Sequence, residues 1–143
     1  MTPVADHEAG AILTVDLDAI VANWRMLRDR AAPGDCAAVV KADAYGLGAA
    51  QVAPALAGAG CRRFFVAHLG EGAALRPLLP ADAAVFVLNG LPPGAEADCA
   101  GLGLTPVLNS LPQVAAWGAL AAQLGRRLPA ALQVDSGMAR LGL

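Results

Sequence analysis

Aromatic side chains are scarce in this 143-residue chain: three Phe, two Trp and one Tyr, 4% of the sequence. Any core must therefore be aliphatic, built from Val, Leu, Ile and abundant Ala, and alanine brings helix propensity with little buried area. Cysteine is equally sparse. Cys36, Cys61 and Cys99 are odd in number, widely spaced and form no CxxC pair. That pattern argues against a disulfide framework or a zinc site and for reduced thiols, and no metal is expected. No charge of one sign dominates: the net charge is −2 and both signs are scattered along the chain. A basic face for nucleic acid and a polybasic membrane anchor are excluded. No apolar run approaches the length that crosses a bilayer. The opening "MTPVADHEAG" carries acids and no apolar h-region, so it does not read as a signal peptide, and the expected compartment is the cytoplasm.

What is present is an alternation of short apolar runs and helical stretches in a chain sized for one small domain. "AILTVDLDAI" opens with a strand-like alternation. Asp16 or Asp18 can cap a helix reaching about Arg30, with Ile20, Trp24 and Leu27 on one face, and Pro33 and Gly34 end it. "CAAVVKA" is a continuous apolar run, the mark of a strand buried on both faces. The type of pattern then repeats. "GAAQVAPALAGAG" predicts a helix with Gly60 at its end and Pro54 starting it late or kinking it. "RRFFVA", "AAVFVL", "LTPVL" and "PAALQVD" predict further strands. "GEGAALRPL" predicts a short helix, "PPGAEADCAG" a turn with at most one helical turn, and "SLPQVAAWGALAAQLG" a helix with Ser110 and Gln113 as capping box and Gly125 at its close. Five apolar strands separated by helices imply a parallel sheet. The expected fold class is α/β: an incomplete barrel, with a doubly wound sheet as the lesser alternative. No linker divides the chain.

Lys41 is the only lysine, and it stands at the end of an apolar strand in "VVKADAYGLG", residues 39–48. Lysine is among the side chains least often buried. In parallel α/β folds the C-terminal strand ends form the active site. Partial desolvation there lowers a lysine pKa, and its free amine can attack a carbonyl to form a Schiff base. Pyridoxal phosphate is the commonest protein-bound aldehyde used in this way. On position alone a structural charge capping the sheet is the more frequent case. Tyr45, four residues on, can donate a phenol hydrogen bond to a phosphate, or pack on a barrel rim. Gly46 and Gly48 permit close backbone approach before the next helix. "GLGAAQ" fails as a dinucleotide fingerprint because Gln51 stands where the third glycine belongs, and "GLGLTP" at 101–106 precedes a strand rather than a helix.

The stretch "VVKADAYGLG" closely resembles the pyridoxal-phosphate lysine motif of bacterial alanine racemases: a lysine, Ala-(Asn or Asp)-Ala-Tyr-Gly and a following Gly. "LTVDLDAIVANW", "FFVAHLGEGAALR" and "VDSGMARLG" resemble further segments of that family in the same order, so the resemblance spans nearly all of the chain after its first ten residues. It implies an incomplete (β/α)8 TIM-type barrel, the N-terminal part of the alanine racemase fold. It also implies pyridoxal-phosphate-dependent interconversion of L- and D-alanine for peptidoglycan supply. By resemblance Lys41 is the Schiff-base lysine and the base on the D-alanine face, and Tyr45 binds the cofactor phosphate. Arg140 contacts the cofactor's phenolic oxygen and the substrate carboxylate, a role suited to a permanent, forked cation.

The sequence departs from the family at Gln133, where many members carry a carbamylated lysine. A glutamine cannot be carbamylated, but its amide can orient Arg140. His68 is expected to serve structure at the rim, and Glu71 to start a helix. The resemblance places the opposite-face base, a tyrosine, in a C-terminal β domain donated across a homodimer, beyond Leu143. Residues 1–143 thus read as a partial barrel domain that, taken alone, is expected to be inactive and to fold poorly. The alternatives are a broad-specificity amino-acid racemase and a non-catalytic pyridoxal-phosphate-binding barrel protein. Neither a nucleic acid nor a membrane is an expected partner.

Overall fold

The computed structural model describes residues 5–143. Asp16 opens its first long helix: the carboxylate accepts the Ala19 N–H at 2.9 Å, satisfying one of the donors a helix start leaves free. Helix α1 runs Leu17–Ala31 and buries Trp24, with Leu17, Ile20 and Val21 packed beside it. Leu27, expected on the same face, is instead exposed. The apolar stripe follows positions 17, 20, 21 and 24, the helical spacing that precedes it. The alternating stretch 11–15 forms no strand, because no edge pairs with it among the described residues.

Five parallel strands follow: β1 Ala38–Val39, β2 Arg63–Val66, β3 Ala84–Val87, β4 Thr105–Leu108 and β5 Ala131–Leu132. Their order in the sheet is their order in the chain, β1-β2-β3-β4-β5, and every pairing is parallel. A doubly wound sheet reverses its strand order at a switch point, whereas a barrel winds in one direction. The sheet is therefore five consecutive strands of the barrel type. Between them lie α2 Ala49–Gly58, α3 Leu69–Leu75, α4 Glu96–Gly101 and α5 Leu111–Gln123. Pro54 stays inside α2, and "PPGAEADCAG" holds the full helix α4 rather than a single turn. Ser110 caps α5 through its hydroxyl, but Gln113 reaches past it to the Asn109 N–H at 2.8 Å.

The core lies on the helix side of the sheet. Phe64, Val66, Val85 and Val87 point there and are fully buried, alternating with Phe65 and Phe86 on the other face. Those two rings stack with centroids 4.7 Å apart and are half-buried. Burial on both faces, expected for β1, holds along the whole of β4 only; Val39 is exposed. No described helix is long and apolar enough to cross a membrane.

Candidate active site

The chain does not continue from β1 into a right-handed helix. Ala42, Asp43, Ala44 and Tyr45 all have φ between 52° and 57°, a left-handed turn over Lys41–Tyr45 that Gly46 closes at φ 83°. Each L-residue in that conformation costs roughly 1–2 kcal/mol, so the four together cost about 4–8 kcal/mol. Such strain persists only where the surroundings over-determine it. Here they do. Val40 N–H pairs with Phe65 O at 2.9 Å, Ala44 N–H with Val40 O at 2.9 Å, and Gly46 and Gly48 N–H both return to the Asp43 carbonyl. Asp43 Oδ1 also accepts the Ala49 N–H at 2.7 Å, tying the turn to the start of α2.

The turn leaves Lys41 half-buried at the C-terminal end of β1. Its Nζ lies 5.9 Å from the centroid of the Tyr45 ring, within the range of a cation–π contact. Tyr45 itself is 63% exposed, so its phenol is free to meet a ligand from outside the cleft. Lys41 and Arg140 line one cleft of about 540 Å³, together with Ala67, Leu88, Asn89 and Gln133. The sheet thus brings together residues almost a hundred positions apart in sequence. Neither cation takes part in a salt bridge among the described residues. An amine and a permanent cation facing one cleft suit a carbonyl compound that carries anionic oxygens.

Arg140 is held by its loop. Asp135 Oδ1 accepts the N–H groups of Gly137 at 2.9 Å and Ala139 at 3.0 Å, which hold its carboxyl below its ordinary value. Leu143 N–H then returns to Gln133 O, and Asp135 N–H to Leu143 O. A Cβ at Gly142 would meet Asp135 N at 2.7 Å, and φ there is 123°, so only glycine fits. Gln133 Nε2 donates to the Leu141 carbonyl at 3.0 Å. It reaches the backbone next to Arg140, and among the described residues no hydrogen bond joins it to the guanidinium.

Sequence reasoning missed one residue in this assembly. Glu71, expected only to start a helix, accepts three N–H groups: Ala42 at 2.8 Å on one oxygen, Ala67 at 2.6 Å and His68 at 3.2 Å on the other. Burial pushes its carboxyl up, but the three donors outweigh burial and hold it below its ordinary value. The capping position was legible; the reach to Ala42, 29 residues away, was not. His68 is exposed and stands 3.4 Å from Asn89 Nδ2, on the rim where it was expected.

The model of the alanine racemase N-terminal domain matches residues 15–143. An alanine racemase from Brucella ovis is 62% identical over 138 residues, 96% of this chain and 35% of the relative. The solved alanine racemase from Bartonella henselae, with covalently bound pyridoxal phosphate, superposes with a TM-score of 0.88 at 48% identity, over 90% of this chain and 36% of that one. A histidine racemase from Leuconostoc mesenteroides superposes with a TM-score of 0.78 at 28% identity, over 88% of this chain and 34% of that one. The chain spans about a third of the length of these relatives. With the match extending from the helix cap at Asp16 through the Arg140 loop, the chain belongs to the alanine racemase N-terminal domain family.

Proposed function

We propose that this chain carries the cofactor-bearing part of an alanine racemase that interconverts L- and D-alanine. The observation that carries the reading is the chain's only lysine, fixed by a strained turn at a strand end and sharing a cleft with Arg140. The residues fit pyridoxal phosphate. An unpaired amine can hold its aldehyde carbon, an exposed phenol beside that amine can donate to its phosphate, and an unpaired arginine can meet its phenolic oxygen. When bound, the cofactor supplies an electron sink for charge developing at the substrate α-carbon.

The chain's own residues do the rest. Lys41 Nζ would hold the cofactor, and its amine would take or return the α-proton on one face. Arg140 binds the substrate carboxylate and fixes which face of the α-carbon meets Lys41. The opposite face needs a second base. The family resemblance assigns that base to a tyrosine outside residues 1–143, supplied within a homodimer. The proposed setting is the cytoplasm, where D-alanine serves cell-wall precursors. A broader amino-acid racemase is the second reading, favoured by the likeness to a histidine racemase.

The test is borohydride reduction of the full-length protein loaded with pyridoxal phosphate, followed by digestion and mass spectrometry. The pyridoxyl label is expected on Lys41 and to vanish in Lys41→Ala. A label elsewhere in folded protein refutes the assignment. Comparing kcat/KM for L-alanine with that for L-histidine separates the two substrate readings.

A further inference from the structure

Glu71 bridges the ends of two neighbouring strands. One carboxylate oxygen takes the N–H of Ala42, the residue directly after Lys41, and the other takes the N–H groups of Ala67 and His68 where β2 ends. Ala42 is also the first left-handed residue of the strained turn. Its N–H is given to Glu71 and is not a donor in the turn's own backbone hydrogen bonds, which begin at Ala44 and Gly46. Glu71 is therefore the side chain that anchors the start of the turn. Glu71 also lines a cavity of about 210 Å³ together with Val40, Val66, Leu75 and Leu78.

From this geometry we infer that Glu71 is a positioning residue for Lys41, holding the lysine's backbone in the orientation that aims Nζ into the cleft. The inference rests on the reading of Lys41 as the cofactor-bearing amine. A carboxylate suits the task because both its oxygens only accept. Glutamine keeps the size but turns one acceptor into a donor, which then faces either Ala42 N–H or the pair at β2. Either way the bridge between the turn and the end of β2 is broken.

The experiment uses full-length protein stripped of cofactor. Pyridoxal phosphate is added, its covalent attachment is followed by absorbance, and the site is read by borohydride labelling. Far-UV circular dichroism and the melting temperature report folding in parallel. Glu71→Gln is expected to slow attachment about 10–100-fold, the cost of a misplaced reacting group. Glu71→Asp, which keeps the carboxylate on a shorter arm, is expected to fall between it and the parent. Amide exchange at Ala42–Tyr45 should rise in the glutamine variant. If the parent takes no label at Lys41, the function proposed for Lys41 fails. If the parent labels and folded Glu71→Gln attaches the cofactor within about twofold of its rate, the positioning role fails alone. A glutamine variant that does not fold is replaced by the aspartate variant in the same readout. Failure of both to fold makes Glu71 a structural residue and overturns the inference.

Discussion

Replacing alanine by glycine normally destabilises a protein, and at Ala42 the structure reverses the sign. In the middle of a right-handed helix the change costs roughly 0.5–1 kcal/mol, because glycine has more freedom to lose on folding. Ala42 is exposed, so its methyl contributes little packing, and its φ is 52°. In that region an L-residue is penalised by about 1–2 kcal/mol and glycine is not. The difference leaves Ala42→Gly stabilising by about 0.5–1 kcal/mol. That corresponds to a rise in melting temperature on the order of 1–3 °C. Ala119→Gly is the matched control: it is exposed within α5, Leu111–Gln123, and should lower stability by about 0.5–1 kcal/mol. Differential scanning calorimetry of both variants in the full-length protein makes the comparison. Two shifts of the same sign would refute the left-handed turn, and with it the account of how Lys41 is aimed.

Three further outcomes follow from the same geometry. Cys99 is fully buried and its thiol is pushed up to about 11, and burial also raises Cys61, whereas Cys36 is half-exposed. Iodoacetamide at pH 8 should therefore alkylate Cys36 first and leave Cys61 and Cys99 until the protein unfolds; early labelling of Cys99 would contradict its burial. Glu71 and Asp135 are both held below their ordinary values, so the stability they add is fully present above the unfolded carboxylate pKa of about 4 and is lost as pH falls through their folded values. Denaturant titrations from pH 6 to pH 3 should show that loss, and Glu71→Gln should flatten it; an unchanged slope counts against the Glu71 bridge. Gly142→Ala should destabilise the loop carrying Arg140 by about 1–3 kcal/mol, read as faster amide exchange at Gly137, Ala139 and Leu143. Unchanged exchange there would mean that the loop does not fold back on β5.

The helix start at Asp16, the Ser110 cap of α5 and the five apolar strands were all legible, because each is written in neighbouring residues: a carboxylate three positions before its N–H, a run of Val and Phe. The parallel sheet followed from the alternation of strands and helices. Strand order did not, because a barrel and a doubly wound sheet use the same local pattern and differ only in which edges meet. The strand foreseen in 11–15 failed for a related reason: alternation makes a segment able to pair, and only a partner edge makes it a strand. Leu27 was misplaced by one turn because the stripe read from spacing alone has no fixed end.

The site divides along the same line. Lys41, Tyr45 and Arg140 were named from residues 39–48 and the "VDSGMARLG" stretch, whose chemistry is carried by residue type and close spacing. Tertiary structure decided that Lys41 and Arg140 face one cleft, that Gln133 holds Leu141 rather than the guanidinium, and that Glu71 reaches Ala42. It also decided the left-handed turn. Four consecutive non-glycine residues at positive φ run against local propensity, and the β2 strand end, Asp43 and Glu71 supply bonds that hold them there. Local sequence determines which groups are available, and the sheet determines which of them meet, because contacts 29 or 99 residues apart depend on strand register and not on spacing.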